Sequence, residues 1–392
     1  MASQSTADEH AKVSAGIRHE GETYPFGANA IQLNLTHWAV TAVTVGVVLA
    51  TISGLWQRVE PIESTGDDRM PYSLSEDYWY YNRHLVHLTS KDCVVVLGDS
   101  VIWGEYVAPN ETLSHFLSEQ SQNTQFANGG LNGTHPLALS GLVQYYASPL
   151  THRRVVVHCN LLWMSSPERD LKLDKELAFN HPQLVPQFMP WIPSYRATFA
   201  DRMGVAVDRV LPFRGWVKHT RIEYFEGQDL PSWTLEHPYD NPLARVLNST
   251  RLEGDAPRHP SVPWFERGIE PQDFPWVELA GSLQWRAFRE TVALLRHRGN
   301  DVFVVLGPLN QHLLTTESRH RFDELSREVR QWLGEHQIPH LEPDLLPSDA
   351  YADTSHPLRS GYEQLARQIH ASKPFQDWLS LPSVPRSGSR SQ

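Results

Sequence analysis

Five short apolar segments, each followed by a stretch of helical character, organise this 392-residue sequence from residue 92 onwards. The predicted strands cover residues 92–98, 124–128, 153–159, 301–307 and 338–343. The predicted helices cover residues 110–121, 136–147, 282–299, 317–336 and 359–371. Strands that alternate with helices form a parallel sheet with helices on both faces. The sequence therefore predicts an α/β fold with about five parallel strands, and a site at their carboxyl ends.

One long stretch, about 164–280, interrupts this alternation. It is rich in Pro and Trp and shows little periodicity. We interpret it as a large insertion between the third strand and the helix at 282–299. Tryptophans in such a segment either fill a core or stack on sugar rings, and the sequence does not separate the two interpretations.

An uncharged run of 19 residues from Trp38 to Trp56 stands apart in a chain whose mean hydropathy is −0.41. A helix of this length spans roughly the ~30 Å hydrocarbon core of a bilayer, and the tryptophans stand where an aromatic belt would place them. A buried core helix and a strand pair are the alternatives. A cleaved signal peptide is disfavoured, because about 37 residues without a basic character precede the run. We predict one transmembrane helix.

The predicted layout follows from these segments. Basic residues flank both ends of the apolar run, so their count hardly favours either orientation. We favour a short cytoplasmic tail and an extracytoplasmic C-terminal domain.

The predicted parts of the chain are a flexible tail over 1–37, a transmembrane helix over 38–56, a linker over 57–75, an α/β domain over 76–376 that contains the insertion, and a disordered tail over 377–392.

Charge and cysteine content exclude several classes of function. The formal net charge is −11 and no basic block is present, so nucleic acid is not an expected partner. Cys93 and Cys159 are the only cysteines, which excludes a disulfide framework and a Cys-rich zinc site. The closely spaced histidine pairs lack a supporting cysteine or carboxylate pattern. We therefore predict neither a metal nor a cofactor.

A serine follows the first predicted strand directly, in the sequence Gly98-Asp99-Ser100. A tight turn at Gly98 would expose the serine hydroxyl at the edge of the sheet. The serine would also begin the next helix, whose N-terminal N–H groups favour negative charge. This position suits a nucleophile whose reaction creates an oxyanion. The alternative is a serine that only caps a helix.

A histidine with an aspartate three residues before it, Asp353-x-x-His356, lies in the loop between the fifth strand and the final helix. A serine hydroxyl needs a base that takes its proton, and a histidine held by a carboxylate does this near neutral pH. A third segment, 128–134, is rich in glycine and follows the second strand. Glycines there allow a backbone N–H to point at a ligand, as an oxyanion requires, although an ordinary turn has the same composition.

These three segments, in this order and at these strand ends, resemble the SGNH (GDSL-type) hydrolase superfamily over about residues 90–163 and 282–372. The resemblance implies a flavodoxin-like three-layer sandwich. It implies Ser100 as the nucleophile, His356 as the base and Asp353 as its partner. It also implies that the backbone N–H groups of Ser100 and Gly133 form two arms of an oxyanion hole. Asp99 and Asn128 belong to the matching blocks, and we assign them less definite roles.

The third block of the family departs from its usual pattern. A Gly-x-Asn-Asp sequence should follow the third strand, but this chain has His158-Cys159-Asn160-Leu161. We choose Asn160 as the third oxyanion donor, with Asn310 as its rival. Loss of one such donor typically lowers the rate by ~10²–10³, so the departure affects efficiency more than the existence of a site.

The favoured function is a membrane-anchored serine esterase that acts through an acyl-enzyme on Ser100. One alternative is an O-acyltransferase that passes the acyl group to a glycan of the cell envelope or an exopolysaccharide. A second is an inactive SGNH-like binding protein. An α/β-hydrolase is disfavoured because the sequence contains no Gly-x-Ser-x-Gly. The expected substrates are esters or acylated glycans, and the sequence does not identify protein partners.

Overall fold

The computed structural model describes residues 34–62, 67–121, 123–175, 181–248 and 257–382. The chain divides into two compact units, Met1–Ile52 and Ser53–Gln392, and the second contains the sheet. Most of the N-terminal tail predicted over 1–37 and the end of the C-terminal tail lie outside the described residues.

Five parallel strands form one sheet in the order β2–β1–β3–β4–β5. The strands are β1 Cys93–Leu97, β2 Gln125–Asn128, β3 Arg154–Cys159, β4 Asp301–Leu306 and β5 His340–Leu341. Val95 of β1 lies opposite Ala127 of β2 and Val155 of β3. The predicted α/β class and the five parallel strands are confirmed, and the strand order is compatible with a flavodoxin-like fold. The edge strand β5 is shorter than predicted; Pro339 and Pro343 flank it and have no N–H to donate.

Helices connect and cover the strands. In chain order they are α1 Leu35–Val59, α2 Tyr78–Ser90, α3 Ser100–Trp103, α4 Leu113–Gln120, α5 Pro136–Tyr145, α6 Phe199–Val210, α7 Pro212–Tyr224, α8 Leu230–Glu236, α9 Pro242–Asn248, α10 Leu283–His297, α11 Thr316–Glu335, α12 Arg359–Ala371 and α13 Lys373–Ser380.

The side chains of each strand alternate between two cores, as the pleat of a strand requires. Val95 and Val157 belong to the core on one face of the sheet, together with residues of α2, α5, α10 and α11. Val96, Val156 and Phe303 belong to the core on the other face, with α4, α12 and α13. Continuous runs of valine suit strands that are buried on both faces.

Most of the predicted linker, 57–75, is part of the domain. The helix α1 continues to Val59, and a turn of 3-10 helix follows later at Tyr72–Leu74. Asp67 and Met70 are both buried. The polar and Pro-containing composition suggested a loose connection, but specific buried contacts hold this segment.

The domain also extends past the boundary predicted at residue 376. The last helix, α13, buries Phe375 and Trp378 in the core on its side of the sheet. Residues 377–382 are therefore part of the fold, and the remainder of the predicted disordered tail, 383–392, lies outside the described residues.

The insertion contributes the four helices α6–α9 and several short turns. Trp233 is buried with Tyr224 and Phe225, and Trp264 is buried in one of the sheet cores. These tryptophans therefore fill cores. Trp191 differs, since 65% of it is exposed.

The apolar run lies within α1. Among the described residues α1 is the one helix that is long and apolar enough to cross a membrane. It extends three residues beyond the predicted span at each end, from Leu35 to Val59.

Candidate active site

The turn after β1 presents Ser100. Asp99 caps α3, its carboxylate accepting the N–H of Val101 at 3.0 Å, so Ser100 is the first residue of that helix. A Cβ on Gly98 would lie 2.4 Å from Ile102, so only glycine fits before the cap. Ser100 is 8% exposed, which keeps its hydroxyl in a largely dry environment.

Three side chains predicted from separate motifs form a continuous chain of hydrogen bonds. The Ser100 hydroxyl oxygen lies 2.8 Å from Nε2 of His356. Nδ1 of His356 lies 2.8 Å and 2.9 Å from the two carboxylate oxygens of Asp353. Since a carboxylate only accepts, Nδ1 carries a proton, and in the neutral form of His356 Nε2 accepts from the serine. This is the arrangement of a serine activated by an oriented base.

The loop that carries the base is held by its own backbone and by Asn310. The Asp353 carboxylate accepts the N–H groups of Ser355 and His356, each at 3.0 Å. Asn310 is fully buried, and its side-chain amide donates to the Asp353 carbonyl at 3.1 Å. Its backbone N–H donates to the carbonyl of Thr354 at 2.8 Å. Asn310, the rival oxyanion donor, is thus hydrogen-bonded to the backbone of the loop that carries Asp353 and His356.

Charge at the triad favours the imidazolium form. Burial alone would lower the pKa of His356, but attraction to Asp353, the hydrogen bond between them, and the charges of Glu105 and Asp99 raise it to about 9. Burial alone would raise the pKa of Asp353, but attraction to His356 and three hydrogen bonds hold it well below its usual range. The carboxylate therefore stays charged and keeps the imidazole oriented.

Asp99 lies in a cage of donors directly behind the nucleophile. Besides capping α3, its carboxylate accepts from the Asn160 amide at 2.8 Å and the Trp163 indole at 2.9 Å, and contacts Nδ1 of His158 at 3.2 Å. Burial opposes ionisation, but attraction to His158 and these hydrogen bonds lower the pKa of Asp99 below its usual range. Asp99 is therefore a fixed negative charge that organises the strand ends.

These contacts of Asp99 determine which hydrogen bonds the side-chain amide of Asn160 can still make. One N–H of its side-chain amide donates to Asp99, and its carbonyl oxygen accepts the N–H of Leu162 at 3.0 Å. No other acceptor within the described part of the chain takes the second N–H of the amide. That N–H can therefore donate to an oxyanion, as the role predicted for Asn160 requires.

The glycine-rich turn after β2 is fixed by Asn128 and His181. The buried Asn128 amide donates to Asp67 at 2.9 Å and to the Ile102 carbonyl at 2.8 Å. This position makes Asn128 a support of the turn rather than an oxyanion donor. Gly133 has a φ of +72°, and its carbonyl contacts Nε2 of His181 at 2.9 Å. The positive φ explains the glycine at this position.

The site also contains residues that none of the sequence motifs identifies. The Glu105 carboxylate lies 3.4 Å from Nε2 of His356 and 3.1 Å from Nε2 of His259. The Tyr106 ring centre is 5.3 Å from both imidazoles, and Arg267 donates to the Tyr106 hydroxyl at 2.8 Å. His259 and Arg267 belong to the insertion, so its last part builds one wall of the site.

Comparison with known proteins gives no family for this chain. No protein-family model matches it, and no curated protein matches it. Within the described ranges, no group of three or more His, Cys, Asp or Glu side chains could hold a metal ion.

Proposed function

We propose that this protein is a membrane-anchored serine hydrolase of the SGNH type that cleaves ester bonds. The observation that carries the proposal is the hydrogen-bonded chain Ser100–His356–Asp353 at the carboxyl ends of β1 and its neighbours. The buried, capped position of Ser100 and the motif order of the superfamily support it. An inactive binding protein would have no need of a serine, a base and a carboxylate that are joined by hydrogen bonds in this order.

In the first half of the proposed reaction, the Ser100 oxygen attacks the ester carbonyl carbon while Nε2 of His356 takes the hydroxyl proton. The carbonyl oxygen becomes an oxyanion, which the N–H groups of Ser100 and Gly133 and the free N–H of Asn160 stabilise. The carbon–oxygen bond to the leaving group then breaks, and His356 returns the proton to the departing alcohol. An acyl group remains on Ser100.

In the second half, water attacks the acyl-enzyme, and His356 takes a proton from it and returns it to Ser100. The acid is released and the enzyme is restored. If a glycan hydroxyl takes the place of water, the same steps give an O-acyltransferase. Both functions share one acyl-enzyme, so they differ only in the acceptor.

Labelling of the full-length chain in detergent with a fluorophosphonate, together with release of p-nitrophenol from a short acyl ester, tests the proposal. We expect Ser100 to be labelled and Ser100→Ala to lose both labelling and turnover. Ser355→Ala is the matched control, because this hydroxyl, next to His356 in sequence, has no hydrogen-bond partner among the described residues. Absence of labelling in the folded wild-type protein would overturn the proposal.

Addition of an oligosaccharide to the assay separates the two functions. Hydrolysis releases the acyl group as free acid, whereas transfer places it on the sugar. Faster appearance of acylated sugar than of free acid would favour the transferase.

We also propose that α1 spans a membrane, with the residues that precede it in the cytoplasm and the domain outside. A cysteine at the exposed position Gln331 on α11 tests the orientation. A membrane-impermeant maleimide should label Gln331→Cys in intact cells. Labelling only after cell lysis would reverse the orientation.

A further inference from the structure

A cavity of about 290 Å³ lies between α2, the C-terminal end of α5 and the insertion helices α6 and α7. Small-molecule sites have volumes of ~300–1,000 Å³, so the cavity has the size of a site for a small ligand. None of the described residues that line it belongs to the triad or carries one of the expected oxyanion donors. The cavity is therefore separate from the site around Ser100.

Two cationic side chains of the cavity wall lack a carboxylate partner. Nζ of Lys218 donates to the amide oxygen of Gln183 at 3.0 Å. The Arg209 guanidinium donates from Nε to the Gln183 carbonyl at 2.8 Å and from Nη2 to the Val185 carbonyl at 2.6 Å. Neither cation forms an ion pair with any residue of the described ranges. Both are bonded to Gln183, so their charges lie in the same part of the cavity.

The carboxylates near these cations are either paired or exposed to water. Of the two that line the cavity, Asp208 accepts from Arg214 at 2.7 Å, and Asp77 lies 2.6 Å from Nδ1 of His219. Burial opposes charge on this imidazole, but hydrogen bonds to two carboxylates raise its pKa to about 9, so it is a cation at neutral pH. Glu76 also attracts the lysine ammonium, but it is exposed and water screens its charge. The cavity therefore keeps a positive charge.

The two cations also keep unused hydrogen-bond donors. An ammonium has three N–H groups and a guanidinium has five. Lys218 uses one and Arg209 uses two on the acceptors named above, so five N–H groups have no acceptor in the described part of the chain. Burial lowers the pKa of both groups, because each charge is partly withdrawn from water without a counter-ion. A bound anion would supply both the acceptors and the opposite charge.

Tyrosine rings hold these cations from the side. The Arg209 guanidinium lies 4.1 Å from the ring centre of Tyr145, and Nζ of Lys218 lies 5.3 Å from that of Tyr78. The Tyr78 ring in turn packs against Tyr146, with 5.2 Å between the ring centres. Contacts of a cation with an aromatic face are attractive and use none of its N–H groups on an acceptor atom. The cations are thus positioned before a ligand arrives, which lowers the entropic cost of binding.

We propose that this cavity binds a small molecule through an oxyanion, a phosphate or carboxylate group, which accepts hydrogen bonds from Lys218 and Arg209. A guanidinium matches the oxygen geometry of both kinds of anion, and a lysine adds a point charge. The helices α6 and α7 contain five Lys or Arg and three Asp or Glu, although the chain has a net charge of −11. This part of the insertion therefore differs in charge from the chain as a whole. The proposal is independent of the ester chemistry and of the role of α1.

Titration calorimetry of the full-length chain in a non-ionic detergent tests the proposal, with inorganic phosphate and acetate as separate probes. We expect saturable binding of one anion per chain. The affinity should be lower at high than at low KCl concentration, because salt screens the attraction. Binding of either anion supports the proposal, and the tighter of the two identifies the group that the cavity prefers.

Substitutions locate the bound anion. Lys218→Gln should raise the Kd by at least about tenfold, because a charge-assisted hydrogen bond is lost, and Lys218→Arg should retain most of the affinity. Arg286→Gln is the matched control: it removes the same charge from an exposed position of α10 outside the cavity, and it should leave the Kd unchanged. Leu211→Trp adds bulk at a lining position that is 47% exposed, and it should weaken binding without removing a cation.

Three results would overturn the proposal. One is the absence of saturable binding of both anions to the folded wild-type protein. Another is a Kd that is the same in Lys218→Gln as in the wild type, or that rises as much in Arg286→Gln. If circular dichroism shows that Lys218→Gln does not fold, an unchanged Kd in Leu211→Trp is the third. The labelling of Ser100 is measured on the same samples, so failure of the esterase proposal is seen separately.

Discussion

Glu105 and His356 lie side by side, with a carboxylate oxygen 3.4 Å from Nε2 of the imidazole, the nitrogen that lies 2.8 Å from the Ser100 hydroxyl oxygen. The imidazole therefore has Asp353 on one nitrogen and Glu105 near the other. Both negative charges stabilise the imidazolium, and both contribute to the raised pKa of His356, about 9. A base with this pKa is mostly protonated at neutral pH.

The first prediction is a pH profile. His356 must be neutral to take the serine proton, so kcat/KM should fall about tenfold for each pH unit below the pKa of about 9. Glu105→Gln removes one negative charge, so the midpoint should move to lower pH and activity at pH 7 should rise relative to the plateau. Glu317→Gln on α11 is a control far along the chain. An unchanged midpoint in Glu105→Gln would separate Glu105 from the titration of the base.

The second prediction concerns Asp353. Asp353→Asn keeps the size of the side chain but favours the wrong tautomer of His356, so kcat should fall by about 10⁴-fold, as for other serine triads. Fluorophosphonate labelling should slow in parallel. A variant that keeps more than a tenth of wild-type kcat would show that the Asp353–His356 hydrogen bond does not matter for turnover.

The third prediction separates the two asparagines. Asn160→Ala removes an oxyanion donor, so kcat should fall by ~10²–10³ and a boronic-acid transition-state analogue should bind more weakly. Asn310→Ala removes the amide that donates to the carbonyl of Asp353, and so loosens the loop of Asp353 and His356. Its main effect should be a loss of stability of about 1–3 kcal/mol, measured by chemical unfolding. The reverse pattern would assign the oxyanion role to Asn310.

The fourth prediction concerns a buried ionic cluster beside α2. His219 lies 2.8 Å from Glu60 and 2.6 Å from Asp77, and Arg83 also contacts Glu60. Burial opposes charge on His219, but hydrogen bonds to Asp77 and Glu60 raise its pKa to about 9. Burial likewise opposes charge on Glu60, but His219, Tyr224 and Arg83 lower its pKa to about 2.

The signs of these shifts define two pH windows. The stability from His219 is complete below its ordinary pKa of 6.5 and is lost as pH rises towards 9. The stability from Glu60 is complete above 4.5 and is lost as pH falls towards 2. The Tm should therefore decline between pH 6.5 and 9, and His219→Gln should flatten this decline. A decline of equal size in His219→Gln would assign it to other groups.

The sheet and the contact among Ser100, His356 and Asp353 could be predicted because both follow from short segments. Runs of valine indicate buried parallel strands, and the residues after their carboxyl ends meet at one edge. The turn residues of that edge are adjacent to the strands in sequence, so the motifs identify them directly.

The supports of the site could not be predicted, because they come from distant segments without periodicity. Asp67 holds Asn128 from the segment assigned to a linker, and His259 and Arg267 reach the site from the insertion. Glu105 follows the nucleophile by five residues, and a single carboxylate at that spacing indicates nothing by itself. Contacts of this kind depend on the path that each long loop takes across the domain. The local sequence does not determine that path.

The distance along the chain between Ser100 and His356 has a consequence for biosynthesis. The strands next to the serine in sequence are made first, and the imidazole is synthesised 256 residues after the serine. Domains fold as their segments leave the ribosome, beginning with the N-terminal part. Under the proposed mechanism, the nascent protein is chemically inert while its apolar segment enters the membrane. It becomes a reactive enzyme only after residue 356 has been synthesised, so products that terminate before this residue carry an unactivated serine.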